Sequence, residues 1–176
     1  MEKKYAMAVL IGVIILGGIL AASMLLKKNR SMADEKSFVW LVEYDSNGSA
    51  MLVRGRKINT IKAELNKLIA ALNRHEARSA LSRPEIEGAP GAYLKLTLQK
   101  TEKPVAVVEI TNEKYLTEKM GSSGAQDYLA AATYTLTENP GITTVEFVFH
   151  AGEHAMPGPY TREAFPNYKI VASGGR

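Results

Sequence analysis

Residues 5–26 read YAMAVLIGVIILGGILAASMLL, 22 residues without a charged side chain. At a rise of about 1.5 Å per residue, a helix of that length crosses a hydrocarbon core of about 30 Å. The run therefore predicts an N-terminal transmembrane anchor over residues 1–26, with residues 5–26 in contact with the membrane. A cleaved signal peptide is the competing reading, because Ala21, Ala22 and Ser23 supply small residues of the right kind. The apolar region of such peptides, however, spans only about 7–15 residues. Lys3 and Lys4 precede the run and Lys27, Lys28 and Arg30 follow it, so positive charge alone does not orient it. The next stretch, KKNRSMADEKS, is polar and reads as a juxtamembrane linker over residues 27–37.

Behind that anchor there is room for one folded domain. The chain has 176 residues, 46% of them hydrophobic and 23% charged, a composition that buries a core. The formal charge of +4 sits mostly in the first 36 residues, and the body carries no basic stripe interleaved with aromatics. Nucleic acid is therefore not expected as a partner. With no cysteine in the sequence, disulfides, thiolate nucleophiles, Cys-ligated metals and a lipobox anchor are all excluded.

The periodicity of the body changes several times. SFVWLVEYD (37–45) and AMLVRGRKI (50–58) read as strands around an Asn-Gly turn, a hairpin. In NTIKAELNKLIAALNRHEA (59–77), Ile61, Leu65, Leu68, Ile69 and Leu72 form one helical stripe, with Asn59 or Thr60 as the cap. Prolines and glycines make 78–92 a loop. YLKLTLQK (93–100) alternates strictly, and PVAVVEIT (104–111) is a second apolar strand that Pro104 can only open. Ser123 and Gln126 fit a capping box for a second helix, whose stripe is Ala125, Leu129, Ala132 and Leu136 and which Asn139-Pro140-Gly141 stops. TTVEFVF (143–149) is a further strand, and NYKIVA near the end reads as an edge strand. This order predicts an α+β fold: a largely antiparallel or mixed sheet of about four to five strands, covered on one face by two helices and preceded by one transmembrane helix.

Three stretches, VWLVEYDSNGSAMLVRGRKI, VAVVEIT and above all AAATYTLTENPGITTVEFVFHAG, resemble the GerMN domain, a module of sporulation and germination proteins and of envelope lipoproteins. The resemblance covers about residues 39–152. It divides the chain into a GerMN-like domain at 38–152 and a C-terminal extension at 153–176 packed on it. What it implies is a non-enzymatic domain at the outer face of the bacterial cytoplasmic membrane, similar in fold to the ring-building modules of spore-membrane channel complexes. The chain departs from the lipoprotein members in lacking a lipobox cysteine and in carrying a single module, so a sporulation role is not carried over.

The candidate chemistry centres on HAGEH. A zinc site of the HExxH type needs both histidines on one helix face with Glu directly after the first. Here Ala151 follows His150 and Gly152 breaks any helix, so the spacing is that of a strand end and a turn. A metal-dependent hydrolase using His150 and His154 remains as an alternative, with Glu153 as a third group. Ser122 and Ser123 read as helix-cap residues, and Glu109 as a solvent-facing or edge glutamate. No GxSxG, P-loop or GxGxxG motif occurs, and GAPGA precedes a strand, the wrong context for phosphate. By parity Trp40 and Tyr44 share a face of the first strand, and Arg54 and Arg56 share a face of the second. These four are the candidate contacts for a polymer or a partner.

The resulting expectation is a single-pass protein of the cytoplasmic membrane with its domain outside the cytoplasm, acting through protein partners or self-association. No catalytic, cofactor-binding or metal residue is expected. A cell-wall (peptidoglycan) binding module is the other alternative.

Overall fold

The computed structural model describes residues 37–58, 64–81 and 93–171. The expected anchor, the linker as far as residue 36, the Asn59/Thr60 cap, and residues 82–92 lie outside the described residues. Among those described, no helix is long and apolar enough to cross a membrane.

Strands β1 (Ser37–Tyr44) and β2 (Ala50–Ile58) form the expected hairpin, and α1 (Leu65–Leu81) follows. Strands β3 (Lys95–Glu102) and β4 (Val105–Thr111) form a second antiparallel pair, and a π-helical turn (Tyr115–Lys119) leads into α2 (Gly121–Leu136). Strand β5 (Thr144–Val148) comes next, then β6 (Gly158–Tyr160), a 3₁₀ turn (Arg162–Ala164) and β7 (Lys169–Val171).

The α+β class holds, but the strands form two sheets rather than one. Their orders are β1-β2-β7 and β3-β4-β5-β6, each with one parallel pairing, β2 with β7 and β4 with β5. A helix side chain occupies one position on each edge that would have to meet in a single sheet. Thr135 of α2 accepts the Trp40 N–H at 2.9 Å on the β1 edge. Asn73 of α1 grips Leu96 on the β3 edge, accepting its N–H at 2.8 Å and donating to its carbonyl at 2.9 Å. An edge whose ladder groups are already bonded cannot template another strand there.

Two helix boundaries also differ from expectation. Helix α1 continues through Arg78 to Leu81, four residues into the expected loop, because nothing before Pro84 interrupts it. Helix α2 begins at Gly121 with no side-chain cap, so Ser123 and Gln126 form no capping box. The preceding π-helical turn takes over that role, and Met120, already helical, donates its N–H to the Tyr115 carbonyl at 2.9 Å.

The stripes that periodicity marks out are the core. Leu65, Leu68, Ile69 and Leu72 of α1 are buried, as are Ala125, Leu129, Ala132 and Leu136 of α2. Leu94 and Leu96 beside and in β3, and Ala106, Val108 and Ile110 in β4, face the same core. Each fully buried Leu or Ile stabilises the fold by about 1.5–3 kcal/mol relative to leaving it exposed. Buried alanines let α2 approach β1 closely. The C-terminal segment adds Phe165, stacked 5.9 Å from Tyr160 and edge-on at 6.1 Å from Tyr168.

Candidate interaction surface at the edge of the first strand

The β1–β2 loop fixes which backbone groups of β1 face outward. Gly48 donates to the Asp45 carbonyl and adopts φ 79°, a conformation that costs a glycine little. The Asp45 N–H bonds the Ser49 carbonyl at 3.0 Å, and one Asp45 carboxylate oxygen accepts the N–H groups of Asn47 and Ser49. The Asn-Gly signal thus marks a three-residue loop closed by Asp45. Antiparallel pairs alternate between bonded and non-bonded. Asp45 and Ser49 are bonded, so Tyr44–Ala50, Val42–Leu52 and Trp40–Arg54 are non-bonded pairs. Trp40, Val42 and Tyr44 therefore direct their ladder groups away from β2. Thr135 takes the Trp40 N–H, and beyond it Val42 and Tyr44 border a cleft of about 330 Å³ walled by β1, α1 and α2.

Three acidic residues are among those lining this cleft, Glu43 at the rim on β1, Glu76 on α1 and Asp127 on α2, and no Lys or Arg is. Asp127 accepts two phenols at once. Tyr44 donates to one oxygen, and Tyr168, from the C-terminal segment, donates to the other at 2.6 Å. The bond to Asp127 is the main reason the Tyr44 hydroxyl ionises only above its usual range. Tyr168 is pushed up chiefly by burial and then by Asp127. Tyr128 forms part of the cleft wall and is 8% exposed. Its buried hydroxyl has no hydrogen-bond partner, and burial, with the Glu76 charge, holds its pKa far above the ordinary value.

The end of α2 explains what the TYTLTENP run does. Thr135 donates its hydroxyl to the Ala131 carbonyl at 2.8 Å and accepts Trp40 on its other side. Thr137 donates to the Thr133 carbonyl at 2.8 Å and accepts from Arg162 Nε at 2.7 Å. Arg162 also donates to the Tyr134 carbonyl at 3.2 Å, lies over the Tyr134 ring and sits 3.5 Å from Glu138. A cation at a helix C-terminus is favoured by the helix dipole. Threonines at alternate positions thus tie one helix end to β1 on one side and to the C-terminal segment on the other.

Of the four candidate contacts, Tyr44 stands on the surface, 56% exposed, and Trp40 in the core, 2% exposed. The Trp40 indole N–H bonds Glu138 at 2.8 Å, and its ring meets Tyr134 edge-on. Arg54 lies over the rings of Phe38 and Trp40, at 5.0 and 5.4 Å from their centroids. The Arg56 side chain lies outside the described residues. Asp127, Tyr128 and Arg162 carry no motif, and Thr135 lies in the AAATYTLTENPG run singled out in the sequence. The Thr-x-Thr-x-Thr rhythm at 133–137 is the sequence signal that this helix end offers.

HAGEH folds as a turn packed on the π-helical segment. The His154 N–H reaches the Thr117 carbonyl at 3.1 Å, and a Cβ on Gly152 would come within 2.4 Å of Thr117, so only glycine fits. The two rings engage different partners. His150 Nδ1 lies 3.0 Å from Glu113, and His154 Nδ1 lies 3.2 Å from Ser122 Oγ. The Glu113 backbone N–H, followed by His150, holds the Glu113 carboxyl below the usual range. Among the described residues, no three His, Cys, Asp or Glu side chains are grouped to hold a metal ion. Glu109 accepts from Gln99 on the outer face of its sheet.

No protein-family model matches the chain, and no curated protein matches it. Two solved structures are similar to it. The tandem GerMN domains of the sporulation protein GerM from Bacillus subtilis share 16% identity at a TM-score of 0.45, over 78% of this chain and 47% of that one. A candidate lipoprotein from Clostridium perfringens shares 16% identity at a TM-score of 0.40, over 77% of this chain and 92% of that one. The chain thus spans about half the length of the tandem GerMN protein. The solved structures to which the chain is similar thus include GerMN domains.

Proposed function

We propose that this chain is a non-catalytic interaction module of the bacterial cell envelope, anchored by residues 5–26 and working outside the cytoplasm through the open edge of β1. The observation that carries the reading is the pair Val42 and Tyr44, whose outward ladder groups border the cleft while the neighbouring Trp40 is closed off by Thr135. Strand addition to such an edge supplies main-chain hydrogen bonds, and the adjoining cleft supplies selectivity. Confinement to a membrane surface raises the effective concentration of the domain for partners on that surface. The uncharged apolar run and the sequence resemblance to GerMN domains support the placement.

The test is photo-crosslinking of the full chain in living cells, with benzoylphenylalanine at Glu43 on the cleft rim or at Glu118 on the exposed π-helical turn. Protein adducts from position 43 and not from 118 are expected. Adducts to wall polymer alone, or equal yields from both positions, would overturn the reading. Protease added to intact spheroplasts should digest the domain, and protection would place it in the cytoplasm.

A further inference from the structure

We infer that the β1 cleft accepts an extended, basic polypeptide segment of a partner protein, which adds as a strand beside Val42–Tyr44. This rests on the interaction reading above and names the chemistry of the partner.

Three features of the cleft specify that occupant. The first is backbone: two outward residues on an edge strand present both donors and acceptors, which only an extended chain matches in register. The second is charge. Glu76 and Asp127, from the two helices, are among the residues lining the cleft, Glu43 stands on its rim on the other face of β1 from Tyr44, and the lining contains no Lys or Arg. Alternate residues of an added strand share a face, so Lys or Arg at every second position would meet the helix wall of Glu76 and Asp127 together. A second copy of this domain would instead bring its own acidic cleft wall against this one. The third is the cleft wall itself. The Tyr128 hydroxyl is buried without a partner beside Glu76, a polar group that a docked chain's amide or ammonium can satisfy once the wall adjusts.

A limit on strand length follows from the surroundings. Thr135 and the end of α2 close the edge at Trp40, and Asp45 turns the chain away after Tyr44. The added strand is therefore short, and charge as well as backbone pairing must hold it.

The test uses the full chain in detergent and a labelled eight-residue peptide of alternating Thr and Lys, followed by fluorescence anisotropy. Binding is expected, with none for the Thr-Glu counterpart. Methylating alternate peptide nitrogens, which removes the pairing donors, should weaken binding about tenfold or more. Glu43→Lys, an exposed position that leaves the core alone, should weaken it about fivefold. Val42→Pro removes an outward N–H on an edge strand, where proline is tolerated, and should weaken it similarly. No binding by the parent chain, or binding that ignores methylation and both substitutions, would overturn the proposal. If the intact chain fails but the chain lacking residues 27–30 binds, the cleft belongs to the chain's own basic segment. Self-association lost in Glu43→Lys and not displaced by peptide would assign it to a second copy. Either of these outcomes also overturns the proposal. Protein adducts from position 43 in cells together with no Thr-Lys binding would reject the basic strand while the interaction reading stands.

Discussion

Asp127 is the residue on which three distant parts of the sequence converge, since β1, α2 and the C-terminal segment meet there through Tyr44 and Tyr168. Both phenols donate to a carboxylate, so their ionisation would remove a donor and place anion beside anion. The folded-state pKa of Tyr168 lies above the ordinary 10.0, so the folded chain holds this proton more tightly than the unfolded one. Its contribution is therefore complete below about pH 10 and is lost as pH rises beyond it. Thermal unfolding between pH 8 and 11 should show the melting temperature falling above pH 10. Tyr168→Phe should fall less steeply, and an unchanged slope would show that neither burial nor the bond to Asp127 raises this pKa in solution. Tyr128 gives the opposite kind of prediction. Its hydroxyl is buried and unpaired, so Tyr128→Phe removes a desolvated donor at almost no change in shape. Urea unfolding should show the variant more stable by about 1 kcal/mol, and a loss of stability would mean that a partner holds the hydroxyl.

At the scale of elements, each helix lends one polar side chain to a sheet edge. Thr135→Val keeps the packing and leaves the Trp40 N–H buried without an acceptor, a loss of about 1–3 kcal/mol in chemical denaturation. Thr135→Ser keeps the hydroxyl and should lose only about 1 kcal/mol for the missing methyl. Equal losses for the two variants would show that packing, not the hydrogen bond, is what matters. The same elements show what the sequence discloses. The hairpin and both helical stripes are local, set by period and turn residues, and they are legible. The split into two sheets is not, because it depends on Asn73 meeting Leu96 and Thr135 meeting Trp40, contacts 23 and 95 residues apart that no period records. The site was half legible for the same reason. Parity marks Tyr44 on a strand face, but Asp127, 83 residues away, belongs to a helix whose stripe reads as ordinary.

Across the whole folded unit, the C-terminal segment contributes a strand to each sheet, β6 against β5 and β7 against β2. Each of these strands has only three residues, too few to hold by pairing alone. What holds them is the stretch between, where Phe165 fills the core and Arg162 binds the end of α2 through Thr137, the Tyr134 carbonyl and Glu138. Arg162 is part-exposed, so its ion pair counts for little. Its helix-end hydrogen bonds and its stacking on Tyr134 together should be worth about 2 kcal/mol. If the segment is a clasp, Arg162→Ala weakens both sheets together. Hydrogen exchange should then show the amides of Leu52 in β2 and Phe147 in β5, residues in different sheets, losing protection by the same amount. Loss confined to β6 and β7 would instead make the segment an appendage on two sheets that α1 and α2 hold by themselves. Tyr168→Phe then separates two routes by which the clasp acts. Through Asp127 it reaches only the β1 cleft, so peptide affinity should change while protection of Phe147 does not.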